Sequence, residues 1–304
     1  MQTIEASWFQ IDPAFFGMKV LIGITTHNRA EILAKAIQSA LEQDYQDKEI
    51  AVFDDASTDG TPLVKERFPQ CRWYRAETNQ GYLAGRNKLM RETDADLYFS
   101  LDDDAWFLKG DEVSHSVALM KERPEIAVLA YDILSPDRTQ PVERAKPLKT
   151  HLFIGCGHML RLSAVREISF YTPNPGNYGA EESDLCVRLL DRQYEIFFLP
   201  GVHVWHDKSS LARQSNKQYS SAVCNDLTFA FRRCPFPMIL AGLPVKLLSH
   251  FRFAIKHNFF RAFLSGLRMF VNALPSTVST RAPVSNSAML EFRRRSRLQP
   301  LQID

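Results

Sequence analysis

Two rhythms of apolar and polar positions alternate along the first two thirds of the chain. KVLIGITTHNR (19–29) begins as a continuous β-branched run and then turns polar, which predicts a buried strand. AEILAKAIQSALEQ follows, with Ile32, Leu33, Ala36, Ile37, Ala40 and Leu41 at helical spacing. The pair then repeats. Residues 50–53 predict a second strand, closed by the turn DDASTDGT, and TPLVKERFP predicts a short helix. CRWYRAE reads as a third strand, NQGYLAGRNKLMRET as a loop opening a helix, and DLYFSL as a fourth strand ending on Asp102, Asp103 and Asp104.

Farther along, HSVALMKERPEIAVLAYDIL predicts a helix and a strand. HLFIGCGHMLRLSAVREI predicts a strand, a glycine turn and a helix start. YTPNPGNYGAEESDLCVRLLDRQ predicts a loop running into a helix, and YEIFFLPGVHVWHDKSS a closing strand. Residues 135–150 carry Pro136, Pro141 and Pro147 and read as a mobile surface loop. Such alternation, with polar residues at strand C-termini, predicts an open α/β sheet whose ligand crevice lies beyond those ends.

Composition adds one thing to this picture. Hydrophobic residues at 45% and charged residues at 24% are ordinary for a globular chain, but the net charge of +2 hides an asymmetry. Residues 211–304 hold 14 Lys or Arg against Asp226, Glu291 and Asp304, a surplus of 11, which leaves a deficit of 9 in the first 210. An acidic body with a basic tail points to a tail that meets phosphate. The five cysteines show no CxxC or zinc spacing, so reduced thiols in a cytosolic protein are expected. MQTIEASWFQIDPAFFG has acidic residues and no long apolar run, so no signal peptide is expected there. No stretch nears about 18 uninterrupted apolar residues, so no spanning helix is expected.

Five stretches carry candidate chemistry, each with a plainer reading beside it. Asp54 and Asp55 at a strand end can accept hydrogen bonds from a ribose or a base, or can simply cap a helix. In NQGYLAGRN, backbone N–H groups and Arg86 suit a diphosphate; the pattern is not GxGxxG, and a glycine turn is the alternative. In extended backbone Asp102 and Asp104 point one way and Asp103 the other. Two carboxylates on one side suit Mg²⁺ or Mn²⁺ shared with a phosphate, and the ion would cancel their repulsion; a solvated acidic turn is the alternative. In GAEESDL a carboxylate at a helix start can accept a proton from a hydroxyl, although first-turn acids are favoured by the helix dipole alone. His203 and His206 would face opposite sides of a strand and so would not share an ion.

In this order, ITTHNRAEILAKAIQSALEQDY, VFDDASTDGT, NQGYLAGRN, LDDDAW, GAEESDLCVRLL and VHVWHDKSS resemble the family 2 inverting glycosyltransferases with the GT-A fold. The resemblance spans residues 18–210. It implies an open, mostly parallel mixed sheet flanked by helices, with residues 1–17 an N-terminal extension and 211–304 a basic, mostly helical C-terminal one. It also implies roles. Thr25, Thr26 and Arg29 match the first-strand end at the nucleotide, Asp55 with Asp54 the acidic pair at the base or ribose, and Gly81 and Arg86 the adjoining loop. Asp102, Asp103 and Asp104 look like the DxD motif, with Asp104 on a divalent cation and Asp103 on the ribose. His206 is similar to a histidine near the metal, and Gly155, Cys156 and Gly157 correspond to an acceptor-side turn. Glu182 matches the general base, with Glu181 its partner. The family usually has Asp there, so Glu181 stays open as the base. His27 and Ala56 replace the usual Tyr and Gly.

The implied reaction moves a sugar from a nucleoside-diphosphate donor to a hydroxyl acceptor, a glycan, polysaccharide or lipid-linked glycan, by direct displacement. A non-catalytic nucleotide-sugar-binding module or a sugar nucleotidyltransferase are the alternatives. The tail, with Arg252, Lys256, Arg261 and Arg268 among bulky apolar residues, reads as helices lying on an anionic membrane surface on the cytoplasmic side; packing on the body or on a second copy is the alternative. Nucleic acid is not an expected partner.

Overall fold

The structure is a computed structural model that describes residues 17–142, 144–207 and 215–298. Nearly all of the predicted N-terminal extension, the end of the predicted closing strand and the first residues of the tail therefore lie outside the described residues.

Nine strands form one sheet in the order β3-β2-β1-β4-β8-β6-β9-β5, with β7 beside β9. The parallel half comprises β3 (Arg72–Arg75), β2 (Lys48–Asp54), β1 (Val20–Thr26) and β4 (Leu97–Asp102). Next to it β8 (Gly157–Arg161) runs antiparallel between β4 and β6 (Ile126–Leu134). The other half is completed by β9 (Glu195–His206), parallel to β6, with β5 (Ala105–Phe107) and β7 (Leu148–Lys149) antiparallel to it. β1 is buried at every position, as its continuous apolar run requires of a central strand.

Helices cover both faces. On one, α1 (Ala30–Leu41) and α4 (Glu112–Glu122) bury Leu33, Ala36, Ile37, Val113, Val117 and Met120 against the sheet. Truncating a wholly buried residue such as Leu33 to Ala costs about 2–5 kcal/mol. On the other face, α3 (Tyr82–Arg91) and α6 (Glu181–Asp191) contribute Leu89, Met90, Leu185 and Leu189. The short helices α2 (Thr61–Arg67) and α5 (Leu162–Glu167) complete the crossovers.

Four helices follow: α7 (Ser215–Arg233), α8 (Met238–Lys256), α9 (Phe260–Ser279) and α10 (Asn286–Leu298). They are not a separate appendage. Cys234, Ala288 and Met289 join the core beneath α6, Arg233 pairs with Asp184 at 2.6 Å, and Arg295 pairs with Glu195 at 2.7 Å. A smaller apolar cluster joins α7, α8 and α9 through Val223, Leu227, Ala254, Phe263 and Phe270.

Two expectations need correction, and a third meets a helix that bears on it. Residues 151–155 are not a strand; the strand begins after the glycine turn, where Gly157 pairs with Leu101 and a side chain on it would meet Val204 at 3.0 Å. Within residues 135–142 the loop is tied down rather than loose, since the Asp132 carboxylate accepts from Arg138 and from the Val142 N–H, each at 2.6 Å. Among the described residues α8 is long and apolar enough to cross a membrane by length and composition, with mean hydropathy 1.4. The expectation of no spanning helix rested on an uninterrupted run, and Lys246, His250, Arg252 and Lys256 interrupt this one.

Candidate active site

The sheet register brings three strand ends together. Thr25 lies between Phe53 of β2 and Asp102 of β4, and Thr26 lies beside Asp54. Beyond these ends is a cavity of about 1020 Å³, lined by the sequence-predicted site residues apart from Asp54 and Gly157. The adjacent acids thus have different fates. Asp54 turns away to Arg75 and accepts the Ser57 N–H at 2.8 Å, so it builds the turn. Asp55 faces the cavity, and its two oxygens accept the N–H groups of Gln80 and Gly81 at 2.7 and 2.8 Å. Gly81 has φ +85°, a conformation open mainly to glycine, and it starts α3.

Gly85 makes the next placement possible. A side chain there would collide with Phe53 and Thr25 at 2.6 and 2.9 Å, so its absence lets α3 press on the sheet. Arg86, next in sequence, is wholly buried and donates to Asp102 Oδ1 at 2.6 Å and to the Gly155 carbonyl at 2.7 Å. Its guanidinium braces Asp102 and also lines the cavity.

β4 ends at Asp102, and Asp103 and Asp104 form a turn, so strand alternation stops one residue early. Arg29 consequently reaches both, donating to Asp103 at 2.9 Å and Asp104 at 2.6 Å. β5 then pairs Ala105 with His206, which brings His206 Nε2 within 3.3 Å of Asp104 Oδ1. His203 points elsewhere, 3.7 Å from Asp132. Repulsion among the three aspartates is thus already met by Arg29, Arg86 and His206. Burial pushes Asp103 up to about 6 against the pull of Arg29. Burial works on Asp104 too, but His206 and Arg29 outweigh it and hold that carboxyl below its ordinary value.

Asp102, Asp104 and His206 offer ligand atoms that all lie within 4.8 Å of one another. Arg86 takes Oδ1 of Asp102 and Arg29 takes Oδ2 of Asp104, so each carboxylate keeps a second oxygen. Two carboxylate oxygens and an imidazole nitrogen form a set that could hold a divalent metal ion.

Across the cavity stand the two glutamates opening α6. Glu181 is buried and accepts the Tyr82 hydroxyl. Glu182 is pushed up to about 8, first by burial and then by Glu181. Gly155 makes room for it, because a side chain there would lie 2.6 Å from Glu182 Oε1. Cys156 also lines the cavity, while Gly157 belongs to the β8 ladder. Sequence reading missed Tyr82, although it lies within NQGYLAG. It also missed Asn225 of α7, which is wholly buried. Asn225 accepts the Gly176 N–H at 2.7 Å and donates to the carbonyls of Gly176, Tyr178 and Gly179, each at 3.0 Å. Nothing in the tail's local pattern marks that residue, because the loop it holds is about 50 positions away.

Residues 21–169 match the family model described as glycosyl transferase family 2. Residues 21–169, just under half of the chain, are thus similar to glycosyl transferase family 2. The uncharacterized glycosyltransferase YwdF of Bacillus subtilis is 33% identical over 95 residues, 31% of this chain and 35% of that protein, so the match spans about a third of either. TarS of S. aureus, residues 1–349 in complex with UDP, superposes with TM-score 0.63 at 16% identity, over 86% of this chain and 83% of that one. The mannosyltransferase PcManGT of Pyrobaculum calidifontis, in complex with GDP-Man and Mn²⁺, does so with TM-score 0.59 at 15% identity, over 93% and 81%. At such identities the likeness is one of fold, and that fold is GT-A.

Proposed function

We propose that this chain moves a sugar from a nucleoside-diphosphate donor to a hydroxyl acceptor by direct displacement with inversion. One observation carries the reading: a single cavity holds, on one side, Asp55 and the Asp102–Asp104–His206 set and, on the other, the buried Glu181 with half-buried Glu182. The chain's similarity to proteins solved with UDP and with GDP-Man and Mn²⁺ supports the donor class.

Asp102, Asp104 and His206 would hold a divalent cation, whose chemistry is to neutralise charge building on the departing diphosphate. Asp55, fixed by the Gln80 and Gly81 amides, offers its carboxylate to the nucleoside. Arg86 keeps Asp102 oriented, and Arg29 does the same for Asp103 and Asp104. Glu182 is the base: raised to about 8, it is basic enough to take the acceptor hydroxyl's proton. Glu181, engaged by Tyr82, keeps that basicity high through its charge.

The tail carries the second half of the proposal. α8 and α9 expose Leu240, Val245, Leu248, Phe251, Ile255, Phe260 and Leu264 alongside Arg252, Lys256, Arg261 and Arg268. Apolar side chains interspersed with cations fit the cytoplasmic face of an anionic membrane, where a lipid-linked acceptor would be at hand.

A thermal-shift panel of UDP-, GDP- and dTDP-sugars with and without Mn²⁺ tests the donor reading; stabilisation by one of them that requires Mn²⁺ is expected, and none by any would refute it. Co-sedimentation with anionic vesicles tests the tail. Full recovery in the supernatant would remove the membrane, and a concentration-dependent dimer would assign the face to a second copy.

A further inference from the structure

A second cavity, of about 280 Å³, lies among α6, α7, α8 and α10. It is separate from the active site, yet α6 contributes to both, Glu182 to one and its neighbour Ser183 to the other. Three of its polar groups share a property: among the described residues they have little or nothing to bind. The Ser183 hydroxyl makes no hydrogen bond among the described residues. His151 Nδ1 is buried without a partner. Arg293 pairs with no carboxylate among the described residues, and its guanidinium finds only the Cys234 sulfur, at 3.4 Å. Lys246 lines the cavity too, matched by Asp226 at 2.9 Å.

No Asp or Glu lines this space. A guanidinium in a partly buried setting is ordinarily matched by an anion or by several acceptors. The cavity is also shaped around Arg293. Gly242, inside α8 where glycine is disfavoured, would place a side chain 2.9 Å from Arg293 Nη2. Phe229, Met289 and Phe292 supply an apolar wall. A guanidinium with uncommitted N–H groups, a free hydroxyl and a nearby ammonium, beside an apolar wall, match a tetrahedral oxyanion on a short organic body.

We propose that this cavity binds a phosphate group, with Arg293 and Ser183 as its principal donors, independently of the transfer reaction. Two sources share this chemistry, a lipid phosphate arriving along the exposed apolar α8 and a free phosphate in solution. Calorimetric titration of the full chain with inorganic phosphate, octyl phosphate and octanol tests it. One-site binding of phosphate or octyl phosphate is expected, weakened about tenfold or more by Arg293→Gln. Octyl phosphate binding more tightly than inorganic phosphate would assign the site to an esterified, lipid-type phosphate, and equal affinities to the free ion. Absence of binding, unchanged affinity in Arg293→Gln, or octanol binding as tightly as octyl phosphate would overturn the proposal. Should Arg293→Gln fail to fold, Ser183→Ala decides, since that hydroxyl bonds nothing among the described residues: several-fold weaker binding upholds the site, and unchanged affinity removes it.

Discussion

Two acidic clusters face each other across the cavity, and they are balanced in opposite ways. Asp102, Asp103 and Asp104 have Arg86, Arg29 and His206 against them. Glu181 and Glu182 have a neutral Tyr82 hydroxyl and more distant Arg86. The first cluster can hold its negative charge, which a cation-binding edge requires. The second is driven toward protonation, with Glu182 at about 8, which a proton acceptor working near neutrality requires. Burial alone does not separate the two roles, because both clusters are largely buried. What separates them is the supply of cations, and that comes from residues distant in sequence.

Breaking the proton-accepting side should have the largest effect. Glu182→Gln is expected to lower transfer about 10²–10⁴-fold while nucleotide binding in calorimetry stays at the wild-type value; unchanged turnover would remove Glu182 from the mechanism. On the metal side, Asp104→Asn is expected to weaken Mn²⁺-dependent nucleotide binding by at least the roughly 10–100-fold that even outer-shell changes cost. Equal Mn²⁺ titrations for variant and wild type would argue that the triad holds no ion.

The pH dependence sharpens the contrast. Glu182 accepts a proton only when ionised, so turnover should rise with pH and level off above about 8; a flat profile in that range would count against it. Stability should run the other way. A carboxyl raised in the folded state favours folding fully below its unfolded value of about 4.3, and that contribution is lost as pH rises through about 8. Glu182→Gln has no such loss, so its melting temperature should overtake that of the wild type at alkaline pH.

Asn225→Asp keeps the acceptor for the Gly176 N–H but loses the donors to three loop carbonyls. It is expected to cost about 1–3 kcal/mol, read as a lower denaturation midpoint, and to speed amide exchange across residues 174–182. Midpoints equal within error would show that α7 does not hold the loop. The smallest effect is expected from Tyr82→Phe: removing the hydroxyl that stabilises the Glu181 charge should move the pH rise of turnover downward, and an unmoved profile would uncouple Glu181 from Glu182.

Much of this was legible in sequence, for local reasons. The β-branched run at 20–26 and the 3.6-residue spacing in 30–41 are patterns a strand and a helix impose on their own residues, and β1 and α1 lie there. Asp55, Asp102, Asp103 and Asp104, which line the cavity, were legible as candidates because they follow apolar runs that end at the crevice. The misses share a different cause. Asp54 and Asp55 look alike in sequence, and Arg75 with two loop amides decides which one faces the cavity. The burial of Arg86 likewise depends on Gly85, which lets its helix sink onto the sheet.

By itself, then, the chain determined the alternating α/β order, the strand ends that carry acids and the basic surplus of its last third, because each depends on neighbouring residues. Tertiary structure alone decided which carboxylates receive cations. It decided too that α7 and α10 belong to the catalytic body while α8 and α9 expose apolar and cationic side chains together. Charge pairing and burial depend on what packs against a residue, and in this fold Arg29 meets Asp104 across 75 positions and Arg295 meets Glu195 across 100.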